Sequence, residues 1–177
     1  MDGRRAKRAA VFLDRDGTIM VDTGYPSDPD EVALLPGAAD ALRGLHKRGY
    51  ALVIVSNQSG IGRGLVTSAQ ASAVHERVAS TLLELGVPLD GAYYCPHGPD
   101  DACNCRKPLP GLLRQAASEL ALDLTRSFMV GDCQSDVEAG RSVGCTTILL
   151  GRAEGVADVI ARTWEDVLAA VAALEAL

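Results

Sequence analysis

Asp14 and Asp16 stand two residues apart in the run Phe12-Leu13-Asp14-Arg15-Asp16-Gly17-Thr18, directly after the short apolar stretch that begins at Ala10. Carboxylates spaced in this way at the end of a strand can lean toward one site, and Gly17 permits the tight turn that follows. The pair suits two tasks on a phosphate ester. Ionised, Asp14 can attack phosphorus as a carboxylate nucleophile. Asp16 can protonate the leaving oxygen and then deprotonate water. A solvated surface turn can also read Asp-x-Asp-Gly, so the reading depends on what accompanies the pair. Two unit negative charges roughly 4 Å apart repel by about 4 kcal/mol at an effective dielectric near 20, and a carboxylate attacking a phosphate therefore needs cations. A magnesium ion held by oxygen ligands supplies one. Asp132 is placed to bind it, with Asp136 behind it, although the same two residues could serve as the N-cap and first-turn acid of a helix. Lys107 supplies a second positive charge. Ser56 offers a hydroxyl and a backbone amide to a phosphate oxygen.

A second constellation is Cys95-Pro96-His97 followed by Cys103-Asn104-Cys105. Three thiolates and one imidazole are the number and kind that tetrahedral zinc takes. Gly98, Pro99, Asp100 and Asp101 between the two pairs suit a tight loop, and acid-rich loops seldom bury cysteines without a reason. With four protein ligands and no open position, such a zinc is structural. Cys133 and Cys145 read as small core residues, and His46 and His75 as solvated side chains on helices.

The elements that must hold these groups alternate. Strand-like apolar runs occur at 10–13, 51–55, 92–94, 127–130 and 146–150. Helical spacings occur at 37–48, 67–85, 110–120, 134–143 and 164–176. Thr67 with Gln70 forms a capping box at the start of the second helix, and Gly86 stops it. Continuous apolar strands separated by helices mean a parallel sheet covered on both faces. Such sheets bind ligands at the carboxyl ends of their strands, and that is where Asp14, Ser56 and Asp132 fall.

A chain of 177 residues, 47% hydrophobic and 23% charged, suits one globular domain. The expected division is a flexible basic tail over 1–8 and a single domain over 9–177. The net charge of -6 and the 4% aromatic content argue against a nucleic-acid surface. The apolar run at 9–13 ends at once in Asp14, too short for a secretory core, and no stretch approaches the ~18 apolar residues of a membrane span. A cytoplasmic protein is expected. Five cysteines there are not a disulfide framework.

Four segments in order resemble the motifs of the haloacid dehalogenase superfamily of phosphatases: Asp14-Arg15-Asp16-Gly17-Thr18, Ser56-Asn57-Gln58-Ser59-Gly60, Arg106-Lys107-Pro108 and Gly131-Asp132 with Asp136. With Tyr93-Tyr94-Cys95-Pro96-His97 and Cys103-Asn104-Cys105 added, the sequence resembles the D-glycero-D-manno-heptose 1,7-bisphosphate phosphatase family in particular. The resemblance implies a Rossmann-like α/β fold with a five-stranded parallel sheet, helices on both faces, no large cap domain and a zinc-binding loop. It implies an aspartyl-phosphate mechanism on a small sugar phosphate, without nucleic acid or membrane as partner, in a monomer. Asp14 would be the nucleophile and Asp16 the acid/base. Ser56 and Lys107 would hold the transferring phosphoryl group. Magnesium would bind Asp14, Asp16 and Asp132, with Asp136 behind them, and zinc would bind Cys95, His97, Cys103 and Cys105. Arg15, Asp22, Thr23, Gly24, Tyr25, Asn57, Gln58, Ser59 and Arg106 would bind substrate. Cys133 departs from the lysine that some members carry after Asp132. Histidinol-phosphate phosphatases share the same motifs and zinc pattern. A polynucleotide 3′-phosphatase and a non-catalytic zinc-bearing module are the more distant alternatives.

Overall fold

The computed structural model describes residues 7–151 and 154–176. In chain order the elements are β1 (Ala10–Leu13), α1 (Ala38–Lys47), β2 (Ala51–Asn57), α2 (Ser59–Gly62), α3 (Ser68–Glu84), β3 (Gly91–Cys95), α4 (Gly111–Glu119), β4 (Phe128–Gly131), α5 (Gln134–Ser142), β5 (Thr146–Leu150), β6 (Val159–Ala161) and α6 (Trp164–Glu175). The strands form one sheet in the order β3-β2-β1-β4-β5-β6, and every pairing is parallel. The chain runs outward from β1 through β2 to β3, then returns to the other side of β1 for β4, β5 and β6. The switch point therefore lies between β1 and β4, and the crevice outside their carboxyl ends is where a ligand site is expected.

Side-chain alternation along the strands builds two cores. Val11 and Leu13 of β1, with Leu52 and Ile54 of β2, pack under α1, α3 and α6 through Leu42, Leu45, Val74, Val78 and Val167. Ala10 and Phe12, with Val53, Val55 and Met129, pack against α4 and α5 through Leu112, Leu113, Ala116 and Ala139. Both faces of the central strands are dry, which is why they read as unbroken apolar runs rather than as alternation. The capping box of α3 forms as expected: Thr67 Oγ1 accepts from the Gln70 amide, and Gln70 Oε1 accepts from the Thr67 amide.

Three expectations change. The sheet has six strands, not five. The sixth, β6, spans only Val159–Ala161, and its Ile160 is exposed at the sheet edge, so it lacks the buried apolar run that marks the others. Among the described residues no separate cap domain interrupts the fold. Residues 1–6 of the anticipated tail lie outside the described residues, but Arg8, its last residue, is held. Its guanidinium donates to the carbonyls of Gly49 and Tyr50 at 2.8 and 2.7 Å and pairs with Asp90 at 2.7 Å. Cys145 is buried as expected, whereas Cys133 is exposed at the N-cap of α5.

Helix α6 is fastened to the loop after β1. Trp164, 2% exposed, donates its indole N–H to the Thr18 carbonyl at 2.8 Å. Trp164→Phe keeps most of the ring but leaves that carbonyl unpaired. It is expected to cost about 1–3 kcal/mol, read as a lower denaturation midpoint with an unchanged denaturant slope.

Candidate active site

Strand β1 ends where Asp14 begins, and the Asp14 amide still donates to the Val130 carbonyl of β4 at 3.0 Å. That bond fixes the Asp14 backbone across the switch point. Its carboxylate accepts from Lys107 Nζ at 2.8 Å. The ammonium also pairs with Asp136 at 2.6 Å and donates to the Val55 carbonyl at 2.7 Å. Lys107 is 3% exposed and places all three of its N–H bonds on these groups. Burial pulls its pKa down, but the Asp14 and Asp136 carboxylates outweigh that and hold it above the ordinary lysine value. Burial pushes Asp14 up, to about 7, against the pull of Lys107, with Asp136 and Asp16 adding to the rise. Burial is the largest cause of that rise, and a divalent cation beside Asp14 would favour its ionised form.

Lys107 arrives on a loop, and Asn57 at the end of β2 clamps that loop. Its amide donates to the Lys107 carbonyl and its carbonyl accepts from the Lys107 amide, both at 3.0 Å. Asn57 also lines the cleft described below, and its two bonds to Lys107 make it a residue that positions the lysine. Asp136 has two duties as well. One oxygen pairs with Lys107, and the other accepts from the Cys133 amide at 3.1 Å to cap α5. A Cβ on Gly131 would lie 2.2 Å from that carboxylate, so only glycine fits there.

Asp132 follows β4 and lies across from the end of β1. Thr18 Oγ1 donates to it at 3.4 Å. A Cβ on Gly17 would sit 2.6 Å from its Oδ2, and Gly17 has φ +78, so that glycine is needed for both reasons. The ligating atoms of Asp132, Cys133 and Asp136 lie within 4.8 Å of one another. Asp136 pairs with Lys107 and caps α5, while Asp132 faces Gly17 and Thr18 after β1. Hard oxygen donors of this kind suit magnesium.

Asp16 is gripped from two sides. Arg15 Nε and Nη2 donate to its two oxygens at 2.9 and 3.0 Å, and Gln58 Nε2 donates to Oδ2 at 2.8 Å. The same Gln58 amide donates to Ser56 Oγ at 2.9 Å, and Ser56 is buried at the end of β2. Arg15 is fully buried. It cannot touch a ligand arriving from solvent, which corrects its expected place among the substrate contacts.

Gly24, Tyr25, Asn57, Gln58 and Ser59 do share a small cleft of about 50 Å³ with Asp16. Pro26, Gly60, Ile61 and Val66 complete its wall; of these only Gly60, the end of the second motif, carries a signal in the sequence. Gly60 lets Tyr25 close in: a Cβ there would lie 2.8 Å from the Tyr25 ring. Asp22 and Thr23 do not line this cleft. Asp22 accepts from the Gly24 amide at 2.8 Å and so shapes the turn that carries Tyr25. A larger hollow of about 640 Å³ lies at the amino ends of the strands, lined by Arg8, Arg48, Arg126 and Tyr50 among others. It holds none of the catalytic side chains.

Cys95, His97, Cys103 and Cys105 converge, with ligating atoms all within 4.8 Å. Cys95 Sγ lies 3.4 Å from His97 Nδ1, 3.8 Å from Cys103 Sγ and 3.0 Å from Cys105 Sγ. Zinc–sulfur bonds of about 2.3 Å in a tetrahedron require sulfurs about 3.8 Å apart, so the cluster is near the size a zinc ion needs. The loop it closes holds Arg106, whose Nη1 donates to the His97 carbonyl at 3.3 Å.

Comparison with known proteins places this arrangement. The chain is 46% identical over 150 residues to the D-glycero-beta-D-manno-heptose-1,7-bisphosphate 7-phosphatase of Yersinia pestis, covering 81% of this chain and 80% of that one. The chain belongs to the heptose bisphosphate phosphatase family. Its relative of the same name in Escherichia coli K12 is 42% identical over 177 residues, covering 92% and 93% of the two chains. The HAD-hydrolase-like family model matches residues 104–172. Among solved structures, the D,D-heptose 1,7-bisphosphate phosphatase from B. bronchiseptica, complexed with magnesium and phosphate, superposes with a TM-score of 0.85 at 31% identity, covering 94% of this chain and 99% of that one. A HAD-like phosphatase from Mesorhizobium loti superposes at 0.84 with 38% identity, covering 98% and 91%. Members of this phosphatase family hydrolyse phosphoric monoesters, and in this chain the Asp14–Lys107–Asp136 cluster lies at the switch point of the sheet.

Proposed function

We propose that this enzyme removes the 7-phosphate of D-glycero-β-D-manno-heptose 1,7-bisphosphate, releasing heptose 1-phosphate and inorganic phosphate through a phosphoaspartyl intermediate on Asp14. The observation that carries the reading is the buried Lys107 ammonium paired to Asp14 and Asp136, with the Asp16 carboxylate beside them. A neutralised carboxylate at a switch-point crevice, with a second acid two residues on, is the equipment for in-line phosphoryl transfer. The names of its relatives at 42–46% identity supply the sugar.

In the first step Asp14 Oδ bonds to phosphorus as the ester P–O bond breaks. The electron pair leaves on the sugar oxygen, which takes the proton of Asp16. In the second step water bonds to phosphorus and gives its proton to Asp16, and the bond to Asp14 breaks with its electron pair returning to the carboxylate. Lys107 and the Ser56 hydroxyl face the charge on the transferring group. The Asp14 and Asp132 carboxylates and the Asp16 carbonyl would hold magnesium, which would supply the remaining positive charge. Arg106, which directly precedes Lys107 and does not itself line the cleft around Tyr25, would meet the part of the substrate that is not cleaved.

The test is a panel of heptose 1,7-bisphosphate, heptose 7-phosphate and histidinol phosphate, ranked by kcat/KM, with ³¹P NMR following which resonance is lost. The bisphosphate is expected to rank first, losing its C7 signal. Histidinol phosphate ranking first would replace the substrate and leave the chemistry standing.

Zinc at Cys95, His97, Cys103 and Cys105 completes the proposal. About one zinc per chain is expected to survive dialysis into magnesium buffer. Removing it with a chelator, or by Cys103→Ser, should lower Tm by roughly 2–4 °C for every kcal/mol lost in a domain of this size. Freely reacting thiols and no bound zinc in the native protein would end the assignment. No helix among the described residues is long and apolar enough to cross a membrane. We further propose a small-molecule enzyme that acts as a single domain over 9–177, as a monomer in the cytoplasm, with the net charge of -6 disfavouring nucleic acid as a partner.

A further inference from the structure

Three nitrogen atoms of Arg15 have different fates. Nε and Nη2 clamp the two oxygens of Asp16, and Nη2 also donates to Gln58 Oε1 at 3.0 Å. Nη1 is buried and has no hydrogen-bond acceptor. The guanidinium also lies over the ring of Tyr94, its carbon 6.0 Å from the ring centroid. A cation over an aromatic face is held by the ring quadrupole, more strongly once desolvated, and Arg15 is wholly desolvated. Tyr94 is itself braced. Its hydroxyl pairs with His75 Nδ1 on α3, and the two rings stand edge to face at 4.9 Å and 70°. Burial, then the charge of Arg15, lowers the His75 pKa, which favours the neutral imidazole as partner of the tyrosine hydroxyl. His75 is thus not the solvated helix residue its sequence context suggests.

This line of contacts runs from α3 through β3 to the acid/base, and no part of it reaches the cleft except Asp16 and Gln58. A buried ion pair bought only for stability would usually be replaceable by apolar residues. Here its anionic partner is the group that must move a proton twice. Proton transfer requires the carboxylate within hydrogen-bond reach of the leaving oxygen, and afterwards of water. A side chain with free rotation would spend much of its time elsewhere.

We propose that Arg15, backed by the Tyr94 ring and its His75 brace, is a positioning residue that holds the Asp16 carboxylate for both proton transfers. The inference rests on the phosphatase reading above and adds a role for three residues that touch no substrate.

The two half-reactions separate this role from a structural one. p-Nitrophenolate leaves without help from an acid, so forming the phosphoenzyme from p-nitrophenyl phosphate does not need Asp16. Its hydrolysis does, because water must lose a proton. Loosening Asp16 should therefore slow the second step alone with this ester and both steps with a sugar phosphate. In stopped flow, Arg15→Met is expected to release a burst of p-nitrophenolate close to one per chain, followed by turnover slowed roughly 10²-fold, the low end of what acid–base catalysis contributes. kcat and KM for p-nitrophenyl phosphate should fall together, leaving kcat/KM little changed, while kcat/KM for the heptose ester falls. Tyr94→Leu should give the same pattern more weakly, and Tyr94→Phe, which keeps the ring, should lie between it and wild type. The burst amplitude counts folded sites, and Tyr94→Leu carries the test alone if Arg15→Met does not fold. A parallel loss of kcat/KM for both esters, or turnover reduced only in proportion to the burst amplitude, would overturn the proposal. So would Tyr94→Leu behaving as wild type. Acid-quenched phosphoenzyme from the wild type is measured first: its absence would indict the covalent mechanism itself and not the role of Arg15.

Discussion

Asp14→Asn is expected to reduce steady-state turnover by at least roughly a thousand-fold, about 4 kcal/mol of lost transition-state stabilisation, with the fold intact. The amide is nearly isosteric but a poor nucleophile and a poorer metal ligand. It also removes the charge that Lys107 meets at 2.8 Å. Lys107 keeps Asp136 at 2.6 Å and the Val55 carbonyl at 2.7 Å, so the ammonium is not left unpaired in the variant. That is why activity should collapse while stability changes little. Circular dichroism and the denaturation midpoint check the second half of this expectation, and a sensitive phosphate-release assay with both sugar bisphosphate and p-nitrophenyl phosphate checks the first. The good leaving group cannot rescue this variant, because it replaces the acid but not the nucleophile. Near-native turnover in a clean preparation would exclude a phosphoaspartyl intermediate on Asp14.

The same geometry explains which parts of the site could be read in the sequence. Asp14, Ser56 and Asp132 are polar residues that interrupt unbroken apolar runs, and a parallel sheet puts the ends of such runs at one edge. The strand pattern alone therefore assembles them. Lys107 lies on a loop, so the need for a second cation and the motif resemblance single it out, but no strand pattern carries it to Asp14. Its delivery depends on the Asn57 clamp, a contact across 50 residues that no local pattern announces. Arg15 stood among the substrate contacts on the resemblance alone, and nothing local in Asp14-Arg15-Asp16 shows that it is buried. Its direction is set by Asp16, Gln58 and the Tyr94 ring, which converge only in the folded chain. The same holds for His75, whose helix neighbours are charged but whose own ring turns inward to Tyr94. β6 was missed for the opposite reason: a strand of three residues at an edge has too little buried surface to impose a pattern. The cysteine cluster was legible because its residue types are rare and their spacing short, and the loop does gather all four.

Arg106→Ala should divide substrates rather than silence the enzyme. Arg106 directly precedes Lys107, and its guanidinium, half-buried, donates to the carbonyl of His97 at 3.3 Å. The Cys95, His97, Cys103 and Cys105 cluster thus fixes both the backbone that carries Arg106 and the carbonyl that steadies its side chain. A planar guanidinium can pair in bidentate fashion with a second phosphate. Hydrogen bonds to charged groups are worth about 1.5–3 kcal/mol, so kcat/KM for the sugar bisphosphate should fall roughly 10- to 100-fold. Part of that loss should appear in kcat, because binding at a distance orients the reacting phosphoryl group. p-Nitrophenyl phosphate has no second anion and should lose little. Lys107→Ala, by contrast, removes the cation next to the nucleophile and should depress both substrates alike. The zinc loop supplies a further arm. If it positions Arg106, then removing the metal should lower the preference for the bisphosphate over p-nitrophenyl phosphate in the enzyme that stays folded, in the same direction as Arg106→Ala. Small and equal effects of Arg106→Ala on the two substrates would mean that Arg106 is a surface charge beside the cluster. Recognition of the uncleaved phosphate would then have to come from elsewhere around the cleft at Tyr25 and Ser59.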